Sequence, residues 1–340
     1  MAIYKPVVLR TIKRDISRIK NKKLPTIAGH KLLYECNLRC KMCPFWRRPD
    51  NNLLDLKHEI LMMEKLKEGG VSYLGFEGGE PLLRKDIRDI LYESHKRFHT
   101  SMVTNGWSLA RKIDNIKGYL DFLFVSIDGG EEIHDEMRVI KGSFKHAVEG
   151  IKASKGKVQI AMSSTVTKDN IDHIDEILDL SRKLDVAVNF QIEYDYKTAD
   201  NISPEKEKLS NLLDYLIEEK KNNSSLIMNT KQYFESIKNS WFNGIKWECR
   251  PWLTINIDPE GKVVMPCYVI NEYSGSNYIW DIDIKRLWNS YNWNDYMSCN
   301  KCALACYLEP SLFKWSSPAM VQSRIISPIM DYIKFNGLKE

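Results

Sequence analysis

With 340 residues, 43% of them apolar and 28% charged, the chain is long enough to bury one large core and a smaller second one. No apolar run approaches the ~18 residues a bilayer-spanning helix needs, lysines and arginines break up the first apolar stretch too early for a signal peptide, and eight cysteines gathered in two clusters do not read as a disulfide framework. The net charge of +5 conceals +7 in residues 1–23, which leaves −2 for everything else and argues against a nucleic-acid cleft along the body of the protein.

Residues 1–25 form a basic arm. Leu9, Ile12, Ile16 and Ile19 recur within it at helical spacing, a stripe suited to lying on an anionic membrane surface or to packing on the body. Residues 26–235 then alternate short β-branched and aromatic runs with longer amphipathic ones. Strands are expected at 31–35, 71–76, 100–104, 121–127, 158–166 and 186–192, and helices at 55–68, 86–97, 108–117, 143–154, 170–184 and 205–222. Ile171, Ile174, Ile177, Leu178 and Leu184 illustrate the helical period. Strict β–α alternation means a parallel sheet with helical crossovers, where function collects at the C-terminal ends of the strands. Polar groups gather there: Cys36 to Cys43, Gly78 to Pro81, Thr104-Asn105-Gly106, Ser126 to Gly129, Ser163 to Thr165, then Gln191 and Glu193.

The first of these ends carries Cys36, Cys40 and Cys43 in a C-x3-C-x2-C run, and the second Gly78-Gly79-Glu80-Pro81. Three thiolates can hold three irons of a cubane cluster and leave the fourth iron without a protein ligand; a closed zinc site is the alternative. The two motifs in this order resemble the radical SAM superfamily. That resemblance implies an α/β fold, a partial (β/α)6 TIM-type barrel, with a [4Fe–4S] cluster on Cys36, Cys40 and Cys43. It implies S-adenosylmethionine on the open iron, cleaved by an electron from a ferredoxin or flavodoxin to a 5′-deoxyadenosyl radical that takes hydrogen from an unactivated C–H bond. Gly78 and Gly79 would then offer backbone groups beside Pro81, and Glu80 would accept from the methionine amine. Met42 stands where an aromatic usually precedes the last cysteine and offers the adenine a soft apolar face. Ser126 and Asp128 would meet ribose hydroxyls or the methionine carboxylate, and Arg138, in a His-Asp-x-x-Arg stretch, would pair with that carboxylate. Thr104 and Asn105 would shape the same pocket, with His134 and Asp135 structural. Glu77 replaces the small hydroxyl residue often found there.

Residues 236–340 change character. Tryptophans crowd in (241, 247, 252, 280, 288, 293, 315) and five cysteines follow: Cys249, Cys267, Cys299, Cys302 and Cys306. Ile255–Asp258 and Lys262–Met265, joined by Pro259-Glu260-Gly261, read as a hairpin, with a helix expected at Ile284–Ser290. This layout resembles a SPASM/twitch-like domain, implying one auxiliary [4Fe–4S] cluster on Cys249, Cys267, Cys299 and Cys302, with Cys306 a fifth candidate; a zinc ribbon is the alternative.

The basic arm and an apolar tail (Trp315, Met320, Ile325, Ile326, Ile329, Tyr332, Ile333, Phe335) favour a cytoplasmic enzyme, peripheral at the membrane, acting on a lipid or other hydrophobic small molecule. A peptide or protein maturase is the alternative, although 30 residues before the barrel are few for a leader-binding domain. A non-catalytic iron or zinc sensor is a third reading.

Overall fold

The structure is a computed structural model that describes residues 23–241, 247–272 and 275–312. The amphipathic stripe of the arm and the apolar tail both lie outside the described residues. Six parallel strands form the barrel wall: β1 (Ile27–Lys31), β2 (Tyr73–Glu77), β3 (His99–Thr104), β4 (Phe122–Ser126), β5 (Gln159–Val166) and β6 (Val188–Ile192). They lie side by side in sequence order, each paired in parallel with the next. The expected crossover helices are present, and they bury the predicted faces. Ile174–Leu184 buries Ile174, Ile177, Leu178 and Leu184. Leu56–Gly69 buries Met62, Met63 and Leu66, starting on the Asp55 cap and stopping at Gly70, whose φ of 98° suits a residue without Cβ.

The cysteine-rich segment does not form a separate sheet. β7 (Thr254–Ile257) pairs in parallel with β1, Ile27 opposite Thr254, and β8 (Lys262–Val264) and β9 (Asn277–Tyr278) continue antiparallel. One nine-stranded sheet therefore runs through the expected boundary near residue 235. The hairpin turn needs Gly261, at φ 83°, where an added Cβ would sit 2.7 Å from the Trp280 ring. The helix at Ile284–Ser290 is where the sequence placed it.

Two expectations change. The first strand is Ile27–Lys31, not 31–35. Leu32, Leu33 and Tyr34 are apolar because they are buried, yet they lead off the ladder: the Tyr34 and Glu35 amides donate to the Asp50 carboxylate at 2.7 Å each. A helix at Glu131–Arg138, hidden by its charge, was not expected. No helix among the described residues is long and apolar enough to cross a membrane.

Candidate active site

The chain leaving β1 places Cys36, Cys40 and Cys43 at the C-terminal mouth of the barrel, on the wall of a cavity of ≈ 260 Å³. Backbone hydrogen bonds from Arg39 to the Arg138 carbonyl (3.3 Å) and from Lys41 to the Met137 carbonyl (3.1 Å) fasten this loop to the end of the Glu131–Arg138 helix. The Trp46 indole donates to the Cys40 carbonyl at 3.0 Å. Leu38, Met42, Met137 and Ile202 make an apolar bed under the three sulfurs.

The glycines after β2 have a reason the sequence did not show. A Cβ on Gly79 would fall 2.0 Å from the Glu35 carbonyl oxygen, and one on Gly78 2.3 Å from that of Leu33. The Gly79 and Glu80 amides donate to the Leu33 and Glu35 carbonyls at 2.7 and 2.9 Å. These groups clamp the turn to the chain entering Cys36, so here the glycines serve close approach of two backbones.

Glu80 is 1% exposed and off the cavity wall, and its carboxylate accepts from the Thr104 hydroxyl (2.7 Å), the Asn105 amide (2.8 Å) and the Leu82 amide (3.0 Å). Through these donors it ties the β2 and β3 turns together. Pro81 is buried in the same turn. Asp128, fully buried, is likewise committed: it accepts from Arg138 Nε at 2.7 Å and from the Thr165 amide at 2.9 Å. It orients Arg138. The Arg138 guanidinium lines the cavity, and Nη1 lies 3.5 Å from Cys40 Sγ. His134 accepts from the Asp128 amide at 3.2 Å, and burial holds its pKa down at about 4, so it is neutral. Asp135 caps the helix at Ser143–Ser154 through the Gly142 and Phe144 amides. Met42, Thr104, Asn105 and Ser126 all line the cavity with the cysteines.

The opposite wall went largely unread in the sequence. Lys31 pairs with Glu77 at 3.2 Å and lies 3.7 Å over the Phe45 ring and 4.5 Å over that of Tyr268. Tyr194, Tyr196, Tyr268 and Tyr307 complete an aromatic flank with Gln191 and Glu193 at the end of β6. Only the strand-end rule pointed to Gln191 and Glu193; nothing in the sequence singled out the tyrosines.

All eight cysteines are free thiols. Burial pushes Cys36 up to about 12 and Cys40 up to about 11, the latter opposed by Arg138. Such thiols give up their protons when a metal binds. The donors on their sulfurs, Leu38 N on Cys36 at 3.4 Å and Asn105 Nδ2 on Cys36 at 3.7 Å, suit the sulfurs of an iron–sulfur cluster in an apolar bed. Burial pushes the Cys249, Cys267 and Cys302 thiols up, and the neighbouring cysteines add to the rise in each. Cys306 also lines the main cavity; burial pushes its thiol up, Glu77 adds to the rise and Lys31 opposes it, and its charge acts on Cys249 and Cys302. Among the described residues no three of His, Cys, Asp or Glu converge tightly enough for one metal ion.

Residues 31–181 match the family described as the radical SAM superfamily, and residues 188–326 a domain of unknown function, DUF3463. Among solved structures, SuiB of Streptococcus suis bound to S-adenosylmethionine superposes with a TM-score of 0.65 at 16% identity, covering 83% of this chain and 70% of SuiB. SuiB bound to the precursor peptide SuiA gives 0.64 at 17%, covering 83% and 69%. The protein anSMEcpe with bound AdoMet and the Cp18Cys peptide gives 0.60 at 20%, covering 86% and 87%. At these identities the likeness is one of fold.

Proposed function

We infer that the protein is a radical SAM superfamily enzyme, with a [4Fe–4S] cluster and S-adenosylmethionine as its cofactors, and that its substrate is a peptide or protein. When bound, the cluster and S-adenosylmethionine supply a 5′-deoxyadenosyl radical able to take a hydrogen atom from an unactivated C–H bond. Cys36, Cys40 and Cys43 would hold the cluster, and Arg138, oriented by Asp128, would take the methionine carboxylate. Glu80, Thr104 and Asn105 keep the loop at its place. The aromatic flank limits water around the reacting groups. Cys249, Cys267, Cys299 and Cys302 would carry an auxiliary cluster, and an external ferredoxin or flavodoxin would deliver the electron.

One observation carries the substrate class: the wall facing the cysteine loop presents Gln191, Glu193, Lys31 and Glu77 among tyrosines. Lys31 and Glu77 pair with each other, while the open oxygens of Gln191 and Glu193 match amides and are costly against hydrocarbon, which leaves them unpaired. The folds shared with SuiB and anSMEcpe, both solved with peptides, support the same reading. A lipid substrate at a membrane surface draws on the chain's two ends and on nothing in the cavity. The test is anaerobic incubation of reconstituted enzyme with S-adenosylmethionine, dithionite and a pool of capped hexapeptides, followed by mass spectrometry. Peptide-dependent 5′-deoxyadenosine and a changed peptide mass are expected. 5′-Deoxyadenosine that rises with a polyprenyl lipid and not with any peptide would overturn the peptide class.

A further inference from the structure

Glu193 stands out among the carboxyls of the cavity. It follows β6, its amide donates to the Val166 carbonyl at 3.0 Å, and the residue is 5% exposed. Yet among the described residues Oε1 has no hydrogen-bond partner, and neither has Oε1 of Gln191 two residues earlier on the same face of the strand. Glu80 and Asp128, equally buried, have three and two kinds of protein donor respectively, so this part of the chain is able to satisfy a carboxylate where one is wanted. A buried polar atom left without a partner costs about 1–3 kcal/mol, and such atoms in a cavity wall are the ones a ligand completes.

We propose that Glu193, with Gln191 beside it, is the substrate-binding pair of this enzyme and holds a carboxamide of the substrate. The inference rests on the peptide reading and names the side chains that recognise it. The groups around Glu193 fix what it can donate. Burial, with the opposing charges of Asp195 from its own segment and Asp128 from the end of β4, lifts its pKa to about 9 against one backbone donor at Tyr194. Tyr196, on which Glu193 acts, is neutral, its own pKa raised well up by burial. Glu193 is therefore a carboxylic acid at neutral pH, with one O–H to give. A carboxamide offers a carbonyl to that O–H and an N–H to the Gln191 oxygen, complementary on both counts. An alkyl chain satisfies neither. An ammonium group is a poor match, because the acid would have to ionise beside two aspartates.

The test uses the reconstituted holoprotein carrying ¹³C-carboxyl glutamate, and the probe is N-acetylalanine methylamide, with 1-octanol and S-adenosylmethionine as comparators. Infrared difference spectra should contain a protonated-carboxyl band, missing in Glu193→Gln, that shifts to lower frequency with the blocked amide and stays put with either comparator. Calorimetry should show the amide bound about tenfold more weakly by Glu193→Ala, with S-adenosylmethionine affinity unchanged. A band that moves with S-adenosylmethionine, or amide binding indifferent to Glu193→Ala, would overturn the assignment. The infrared arm is independent of turnover. A responsive band in a protein that modifies no peptide upholds the pair and removes the maturase reading; peptide turnover with an unmoved band does the reverse.

Discussion

Behind the wall beneath the Cys36–Cys43 loop, two buried carboxylates are hydrogen-bonded inside the protein: Glu80 to the β3 turn, Asp128 to Arg138 and β5. On the wall at the end of β6, Gln191 and Glu193 keep oxygens unpaired although Glu193 is nearly as buried. The first pattern is that of a site whose geometry is fixed before anything binds, since each hydrogen bond removes a degree of freedom from the loop that carries the cysteines. The second is that of a surface still owed a partner. Cofactor chemistry needs the former because the reacting centre must be held in place; substrate recognition tolerates the latter because the ligand completes it.

The comparison breaks first at the cysteines. Replacing Cys36, Cys40 and Cys43 by alanine should drop bound iron from roughly eight to roughly four atoms per chain, given two cubane clusters, and abolish 5′-deoxyadenosine formation. Iron analysis with product chromatography checks both; undiminished iron would move the cluster elsewhere. The next effect in size is steric. Gly79→Ala places a methyl carbon 2.0 Å from the Glu35 carbonyl oxygen, where only movement of the loop relieves the clash. We expect cluster loading to fall severalfold and the thermal midpoint to drop, at a cost of about 2–3 kcal/mol. Gly70→Ala, where an added Cβ meets nothing within 4 Å and only the left-handed φ is strained, should leave loading untouched.

Glu80 and Arg138 test whether the preorganised wall works as a unit. Glu80→Ala strands the Thr104 hydroxyl and the Asn105 and Leu82 amides, a loss of about 2–4 kcal/mol, and should weaken S-adenosylmethionine binding although Glu80 does not line the cavity. Arg138→Lys replaces a fork by a single ammonium and leaves the buried Asp128 underbonded, with a smaller loss of about 1–3 kcal/mol. Calorimetric titration with S-adenosylmethionine and thermal melts separate the two effects. An affinity unchanged in Glu80→Ala would make the β2–β3 clamp irrelevant to the cofactor.

The two motifs after β1 and β2, the six β–α units and the C-terminal hairpin were legible because each has a local signature: cysteine spacing, a period of 3.6 residues, a Pro-Glu-Gly turn. What stayed hidden is tertiary. Nothing local says that β7 joins β1 and makes one sheet of the barrel and the cysteine-rich segment. The first strand was placed four residues late because burial, not pairing, makes Leu32 to Tyr34 apolar, and the Tyr34 and Glu35 amides are taken by Asp50. Which atoms Glu80 and Asp128 face depends on donors some 25 to 37 residues away, Asn105 and Thr165. The tyrosines of the far wall come from three separated segments and share no motif. Lys31 looked like the edge of a strand and lies under two aromatic rings.

The titration of Glu193 most sharpens the contrast between the walls. In the folded protein Glu193 keeps its proton up to a pKa of about 9, against an ordinary 4.5. A group whose folded pKa is raised contributes its stability in full below the unfolded pKa and loses it as pH climbs through the folded one. Between those values the native state holds a proton that the unfolded chain has released, which costs the wild type up to about 1.4 kcal/mol per pH unit. Glu193→Gln keeps the shape and the hydrogen-bonding head without the titration. It should therefore melt with the wild type near pH 4.5 and above it at pH 8, by about 2–4 kcal/mol, levelling off beyond pH 9. A stabilising substitution on a cavity wall is the mark of a residue kept for binding at the expense of the fold. Thermal midpoints of the two proteins across that range decide it: a difference that does not vary with pH would mean that Glu193 is ionised in the native state, and the two walls would then differ in exposure alone.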